Sequence, residues 1–183
     1  MGLGDSITEG SDDFTSYLFP LWEKLMSAGY EFDFIGPRES KCRIGTLKCG
    51  GYSGHTVEFL DSKVDSLYRL YPADIILLHA GHNHFVEEKP VSRMVASYRS
   101  IIAKIWKINP RAVILLAKVI PSGKLPKYSY IPELNKQIER LVKEINSARL
   151  ICVDQASDFD WHSETVAIFG IAWMGDTFFN GNL

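Results

Sequence analysis

The chain has 183 residues, 46% hydrophobic and 23% charged, the size of about one soluble globular domain and enough to bury a core of its own. Lys and Arg number 20 against 22 Asp and Glu, a net charge of −2, so no basic field neutralises phosphates and nucleic acid is excluded as an expected partner. No apolar run approaches the ~20 residues of a membrane span, which excludes a membrane as an expected partner too.

In chain order, Gly4-Asp5-Ser6-Ile7-Thr8-Glu9-Gly10 stands where a first strand ends and a helix begins, with only Met1-Gly2-Leu3 before it. Asp12 or Asp13 is then placed to cap a helix from about Phe14 to Ala28, with Leu18, Leu21, Trp22 and Leu25 at helical spacing and Gly29 as its stop. Pro20 inside it requires a kink or a later start. A short strand is predicted over Phe32 to Ile35. After a Gly-rich loop, Thr56 to Leu70 sets Val57, Leu60, Val64 and Leu67 on one face and ends before Pro72. Asp74 to His79 reads as an apolar strand, Val91 to Ile108 as a helix closed by Asn109-Pro110, and Ala112 to Ile120 as another apolar strand. A helix from about Pro132 to Asn146, with proline in its first turn, leads to a strand at Leu150 to Val153.

Apolar strands separated by amphipathic helices predict an α/β fold, a doubly wound parallel sheet covered by helices on both faces. One domain over residues 1–183 follows, with its first strand shortened and its C-terminal region atypical: Asp154 to Leu183 carries a single apolar patch, Val166 to Met174. That patch is buried either within the monomer or by self-association into a homo-oligomer. Cys42, Cys49 and Cys152 lack the spacing of a zinc or redox site. A Cys42–Cys49 bridge is one reading and free thiols the expected one. The N-terminus carries no signal-peptide pattern, and because the chain begins abruptly its compartment stays open.

Three clusters fall at predicted strand ends, where such folds bind ligands. Ser6 on the first turn would show its hydroxyl at the sheet edge near backbone N–H groups, although Gly-Asp-Ser alone reads better as a polar turn. In Gly50-Gly51-Tyr52-Ser53-Gly54-His55-Thr56, a bare Gly54 N–H could reach a developing oxyanion; alone, this reads as a flexible loop with Thr56 as N-cap. In Ala80-Gly81-His82-Asn83-His84, the Asn83 amide is a further oxyanion donor, or part of an Asn/His turn. His82 and His84 alternate, but no carboxylate or Cys at ligand spacing accompanies them, so no metal is expected.

Taken together and in this order, the blocks resemble those of the SGNH hydrolases, the GDSL esterase/lipase superfamily: GDS, a loop Gly, GxND and a final DxxH. The runs from Gly4 to Gly10 and Gly51 to Thr56, the strand and turn Ile76 to Asn83, and Val153-Asp154-Gln155 are most similar to carbohydrate esterase family 3, the acetylxylan-type deacetylases. The resemblance extends to about Asp160. It implies a serine esterase acting without cofactor on small acyl esters, acetyl above all, including acetylated carbohydrate. Ser6 is then the nucleophile, and the Ser6 N–H, Gly54 N–H and Asn83 amide form the oxyanion hole.

The match breaks at the base. No Asp stands three residues before a His near the C-terminus, and three residues after Asp176 stands Phe179. His162, the only His beyond residue 84, with Asp158 and Asp160 before it, is the substitute expected as base, or else an exposed loop residue. His84 stands where GxND has Asp, which makes His82 and His84 outside candidates. The codons for Trp173-Met174-Gly175-Asp176, read from the last G of TGG, can spell Asp-Gly-x-His; a frameshift after about Asp160 is the hypothesis this motivates, and a parent gene encoding the present tail in its native frame refutes it. Weak activity is the expectation, and a catalytically silent binding domain the alternative.

Overall fold

Apolar strands, extended at one edge by a polar strand pair, build a six-stranded sheet, seen in a computed structural model that describes residues 1–11, 15–42 and 45–159. The strands are β1 (Gly2–Gly4), β2 (Arg38–Cys42), β3 (Gly45–Gly51), β4 (Ile75–His79), β5 (Val113–Ala117) and β6 (Leu150–Val153). Their order across the sheet is β2-β3-β1-β4-β5-β6. All neighbours run parallel except β2, which pairs antiparallel with β3. The chain therefore winds outward from β1 in one direction to β3, then returns and winds in the other through β4, β5 and β6. The reversal at β1 is the topological switch point, where the carboxyl ends of strands open a crevice.

The register sharpens this. Gly4 lies opposite Gly51 on one side and His79 on the other, so β1, β3 and β4 all end in one row across the sheet. Residues that follow these three positions leave the sheet at the same level.

The helices are α1 (Ser6–Glu9), α2 (Leu18–Ser27), α3 (Val57–Leu70), α4 (Val91–Ile108) and α5 (Ile131–Ile145). Val57, Leu60 and Val64 of α3, Ile101, Ile102 and Ile105 of α4, and Leu134, Ile138 and Leu141 of α5 pack against Leu3, Ile76, Leu78, Ile114 and Leu116 in the larger core. Each such side chain contributes about 1.5–3 kcal/mol by leaving water. A smaller core joins Ile7, Tyr17, Leu18, Cys49, Ile120 and Phe159, with Leu77 against it. No described helix is long and apolar enough to cross a membrane.

Several expectations need correction. The helix expected from Phe14 begins at Leu18; Asp12, Asp13 and Phe14 lie outside the described residues. This late start puts Pro20 in the first turn, where a missing N–H costs nothing. Phe32 to Ile35 forms no strand. The Phe32 and Phe34 rings meet edge to face at 5.4 Å, and Phe34 packs on the smaller core: alternation is present, but no backbone among the described residues pairs with it as a strand. The strand pair lies instead in the polar stretch Arg38 to Gly51. β5 stops at Ala117, three residues before the predicted end, because the Asn135 side chain takes both backbone groups of Val119, accepting from its N at 2.7 Å and donating to its O at 2.8 Å. Cys49 and Cys152 are free thiols, which is the reading expected, and the Cys42 side chain lies outside what the structure describes.

Candidate functional site

The site is built on the Gly4–Gly51–His79 row. Gly4 admits no side chain: a Cβ there would fall 2.1 Å from the His79 carbonyl oxygen and 2.2 Å from Thr8 Oγ1. That closeness lets β1 run between its neighbours and release the chain directly into Asp5 and Ser6.

Ser6 is half-buried and opens α1. Asp5 is fully buried, and its carboxylate joins two segments. Oδ1 accepts from the Ile7 N–H at 3.1 Å, capping α1, while Oδ2 accepts from the Gly81 N–H at 3.1 Å in the turn after β4. Burial works to raise the Asp5 carboxyl, but the facing imidazoles of His82 and His79 and the Ile7 N–H together hold it below its ordinary value.

The loop after β3 is tied to both neighbours. The Tyr52 N–H donates to the Gly4 carbonyl at 2.9 Å, and the Ser53 N–H to Glu9 Oε2 at 2.6 Å. Glu9 also binds Arg38 of the edge strand, with Arg38 Nε 3.1 Å from Oε1. Gly54 follows with φ +76°, in the left-handed region open to glycine, and Thr56 caps α3 by accepting from the Phe59 N–H at 3.3 Å. Asn83 closes the ring: its Nδ2 donates to the His55 carbonyl at 2.8 Å, leaving one amide hydrogen uncommitted by that bond.

The turn carrying Asn83 is pinned along its length. The Tyr98 hydroxyl donates to the Ala80 carbonyl, and the Tyr130 hydroxyl to the Gly81 carbonyl at 2.6 Å. His82 Nε2 bonds the Ile120 carbonyl at 2.9 Å, and since a carbonyl only accepts, Nε2 carries a proton. Its Nδ1 stands 3.9 Å from Asp5 Oδ2. The segments bearing Ser6, Gly54 and Asn83 are thus brought together and held by bonds between one another.

The outside candidates for the base are committed elsewhere. His84 is buried, with Nε2 2.9 Å from Glu58 Oε2 and Nδ1 3.0 Å from Glu88 Oε2. Burial works against its charge, but the two carboxylates raise its pKa. Burial likewise raises the Glu58 carboxyl, yet His84 and the backbone bring it down to about 2. Arg93 binds both Glu58 and Glu88. His79 is buried beneath the row, and neither ring nitrogen has a hydrogen-bond partner among the described residues. Burial lowers its pKa to about 4, although Asp5 pulls the other way. Among the described residues no group of three or more His, Cys, Asp or Glu side chains is arranged to hold a metal ion. Asp160, His162 and the Val166 to Met174 patch lie outside the described residues.

Sequence reading missed the clamps Asp5, Glu9 and Arg38. Asp5 did carry a signal, since an Asp that opens a helix commonly caps the N–H two residues on; Glu9 and Arg38 carried none, because their pairing depends on an edge strand that was not foreseen.

A profile of the GDSL-like lipase/acylhydrolase family matches residues 3–167. No curated protein matches the chain. Among solved structures, an acetyl esterase mutant with acetate ion superposes with a TM-score of 0.81 at 22% identity, covering 94% of this chain and 86% of that one. The Clostridium thermocellum family 3 carbohydrate esterase gives 0.81 at 22% identity, covering 97% and 88%. A carbohydrate esterase family 3 from Talaromyces cellulolyticus gives 0.73 at 23% identity, covering 85% and 77%. At such identities these likenesses establish a common α/β fold. With nine-tenths of its length inside the family profile, the chain belongs to the GDSL-like lipase/acylhydrolase family and is a hydrolase domain of the esterase/acylhydrolase kind.

Proposed function

We propose that the protein hydrolyses small acyl esters, acetyl esters of carbohydrate in the first place, through an acyl-serine intermediate on Ser6. The Ser6 oxygen attacks the ester carbonyl carbon, the hydroxyl proton passes to a base, and the negative charge on the former carbonyl oxygen is met by the Ser6 and Gly54 N–H groups and the Asn83 amide. Collapse expels the alcohol, and water repeats the sequence to release the acid. The observation that carries this reading is the shared row Gly4–Gly51–His79, with the bonds Asp5–Gly81, Glu9–Ser53 and Asn83–His55 joining the three segments that leave it. Donors fixed before the substrate arrives need no reorganisation when charge develops. The acetyl preference and the carbohydrate alcohol are supported by the likeness to an acetyl esterase and to family 3 carbohydrate esterases.

His162, preceded by Asp160, is proposed as the base, since His82 and His84 are engaged with Ile120, Glu58 and Glu88. A second reading, a catalytically silent domain that binds carbohydrate or a partner chain, is favoured by the missing Asp-x-x-His block. Hydrolysis of 4-nitrophenyl acetate and butyrate by wild type, Ser6→Ala, Asn83→Ala and His162→Ala separates the two. Ser6→Ala is expected to fall to the uncatalysed rate and Asn83→Ala by ~10²-fold, with acetate preferred over butyrate and acetate released from acetylated xylan. Equal rates for wild type and Ser6→Ala sink the enzyme reading; a normal rate for His162→Ala sinks only the choice of base.

A further inference from the structure

The turn that carries Asn83 holds a side chain the acyl-transfer scheme leaves unused. His82 is largely buried, its side chain 12% exposed, between the end of β4 and the segment after β5. One nitrogen is spent on the Ile120 carbonyl. That bond and the edge of the Tyr128 ring, 5.8 Å away between centroids, fix the plane of the imidazole. The other nitrogen, without a hydrogen-bond partner among the described residues, faces Asp5 Oδ2 at 3.9 Å, a contact longer than a hydrogen bond and attractive in the imidazolium form, where both nitrogens carry protons. Asp5 is 0% exposed, and a buried carboxylate without positive partners is costly. Its two oxygens are the only link that runs directly from the cap of α1 to the turn after β4 among the hydrogen bonds of the described residues at this edge.

We propose that His82, as an imidazolium, is a positioning residue for the acyl transfer described above: anchored on the Ile120 carbonyl, it sets its second N–H toward the Asp5 carboxylate, which fixes the Ser6 turn relative to the Asn83 turn. The inference rests on the esterase reading and deepens it. His82 touches no reacting atom. It acts through Asp5, which caps Ile7 with one oxygen and holds Gly81 with the other. A shift of about 1 Å between a nucleophile and its oxyanion donors suffices to cost ~10²-fold in rate, so a modest loosening of this clamp falls on kcat more than on KM.

Two substitutions divide the contacts of His82. In His82→Asn the short amide can still present an N–H toward Asp5, in place of Nδ1, but does not reach Ile120. His82→Gln does the reverse, keeping a donor for Ile120 in place of Nε2 and setting a carbonyl oxygen toward Asp5. With 4-nitrophenyl acetate as probe, His82→Gln is expected to lose roughly tenfold or more in kcat with KM within about twofold, and His82→Asn to retain several times the kcat of His82→Gln. Amide hydrogen exchange supplies a readout independent of activity: the Ile7 and Gly81 N–H groups, both donors to Asp5, are expected to exchange faster in His82→Gln, while Phe59 at the α3 cap does not change. Unchanged exchange at Ile7 and Gly81 overturns the clamp. Faster exchange with unchanged kcat overturns its role in positioning, as does a lower kcat for His82→Asn than for His82→Gln. Equal rates for wild type and Ser6→Ala overturn the esterase reading and with it the catalytic half of the proposal, while the exchange data still decide the clamp.

Discussion

Two glycines of the site do different physical work, and alanine substitution separates space from backbone geometry. At Gly4 the obstacle is space: the Cβ would meet the His79 carbonyl oxygen at 2.1 Å, a backbone atom that β1–β4 pairing holds in place. At Gly54 nothing lies within 4 Å of the place an alanine methyl would occupy, and the obstacle is φ +76°. Gly4→Ala is therefore expected to cost about 3 kcal/mol or more, through separation of β1 from β4. Gly54→Ala is expected to cost about 1–2 kcal/mol, the strain of a left-handed alanine, and to lower esterase activity because the proposed donor N–H moves as the residue relaxes. Thermal melts of the two variants check the order, and a Gly54→Ala protein less stable than Gly4→Ala contradicts it. Ser6, Gly54 and Asn83 were legible from sequence as residue types at strand ends. Asp5 was legible only as part of a motif, because what matters about it is which two N–H groups it accepts from, and one of them, Gly81, is 76 positions away.

Among the elements, those that gather their own apolar stripe were readable and those that depend on a partner were not. α3 and α4 lie within a residue of expectation because Val57, Leu60, Val64 and Leu67, or Met94, Ile101 and Ile105, declare a buried face by spacing alone. The β2–β3 hairpin escaped because its sequence, Arg38 to Gly51, is polar; its strands are defined by backbone pairing such as Ser40 with Leu47. His84 ties several elements together at one turn. It joins α3 through Glu58, the 3-10 turn Val86–Glu88 through Glu88, and α4 through Arg93, which binds both carboxylates. Its pKa is raised, so its contribution is complete below its ordinary 6.5 and is lost as the pH rises through the higher folded value. An Asp at this position, as in the GxND block that the chain resembles, would set a third carboxylate against Glu58 and Glu88, with Arg93 the one cation bonded to the cluster among the described residues. His84→Asp is accordingly expected to lower Tm at pH 6 by roughly 4 °C or more. An unchanged or raised Tm in a calorimetric scan contradicts this account of the turn.

For the molecule as a whole, the register was the hidden quantity: the sequence pattern implied a doubly wound sheet, but nothing in Met1-Gly2-Leu3-Gly4 says that Gly4 must lie level with Gly51 and His79. The same close packing buries a base that acid must charge. His79 is brought down to about 4 from 6.5. The unfolded chain takes up this proton first, so the stability it contributes is complete above the unfolded pKa and is lost as the pH falls through the folded one, from about 6.5 to 4. Glu58, down at about 2 from 4.5, adds a loss that begins below 4.5. His84, with its raised pKa, runs the other way. Urea midpoints are therefore expected to fall from about pH 6.5 to pH 4. At ~1.4 kcal/mol per pKa unit, His79 accounts for about 3 kcal/mol of the fall below pH 6.5. His79→Phe keeps a ring of similar size beside Tyr17, whose own ring meets His79 edge-on at 6.3 Å, and removes the proton acceptor. Its stability should change much less between pH 6.5 and 4 than that of wild type. An acid limb just as steep in His79→Phe would assign the loss to other groups and remove His79 as the buried base that makes this fold sensitive to acid.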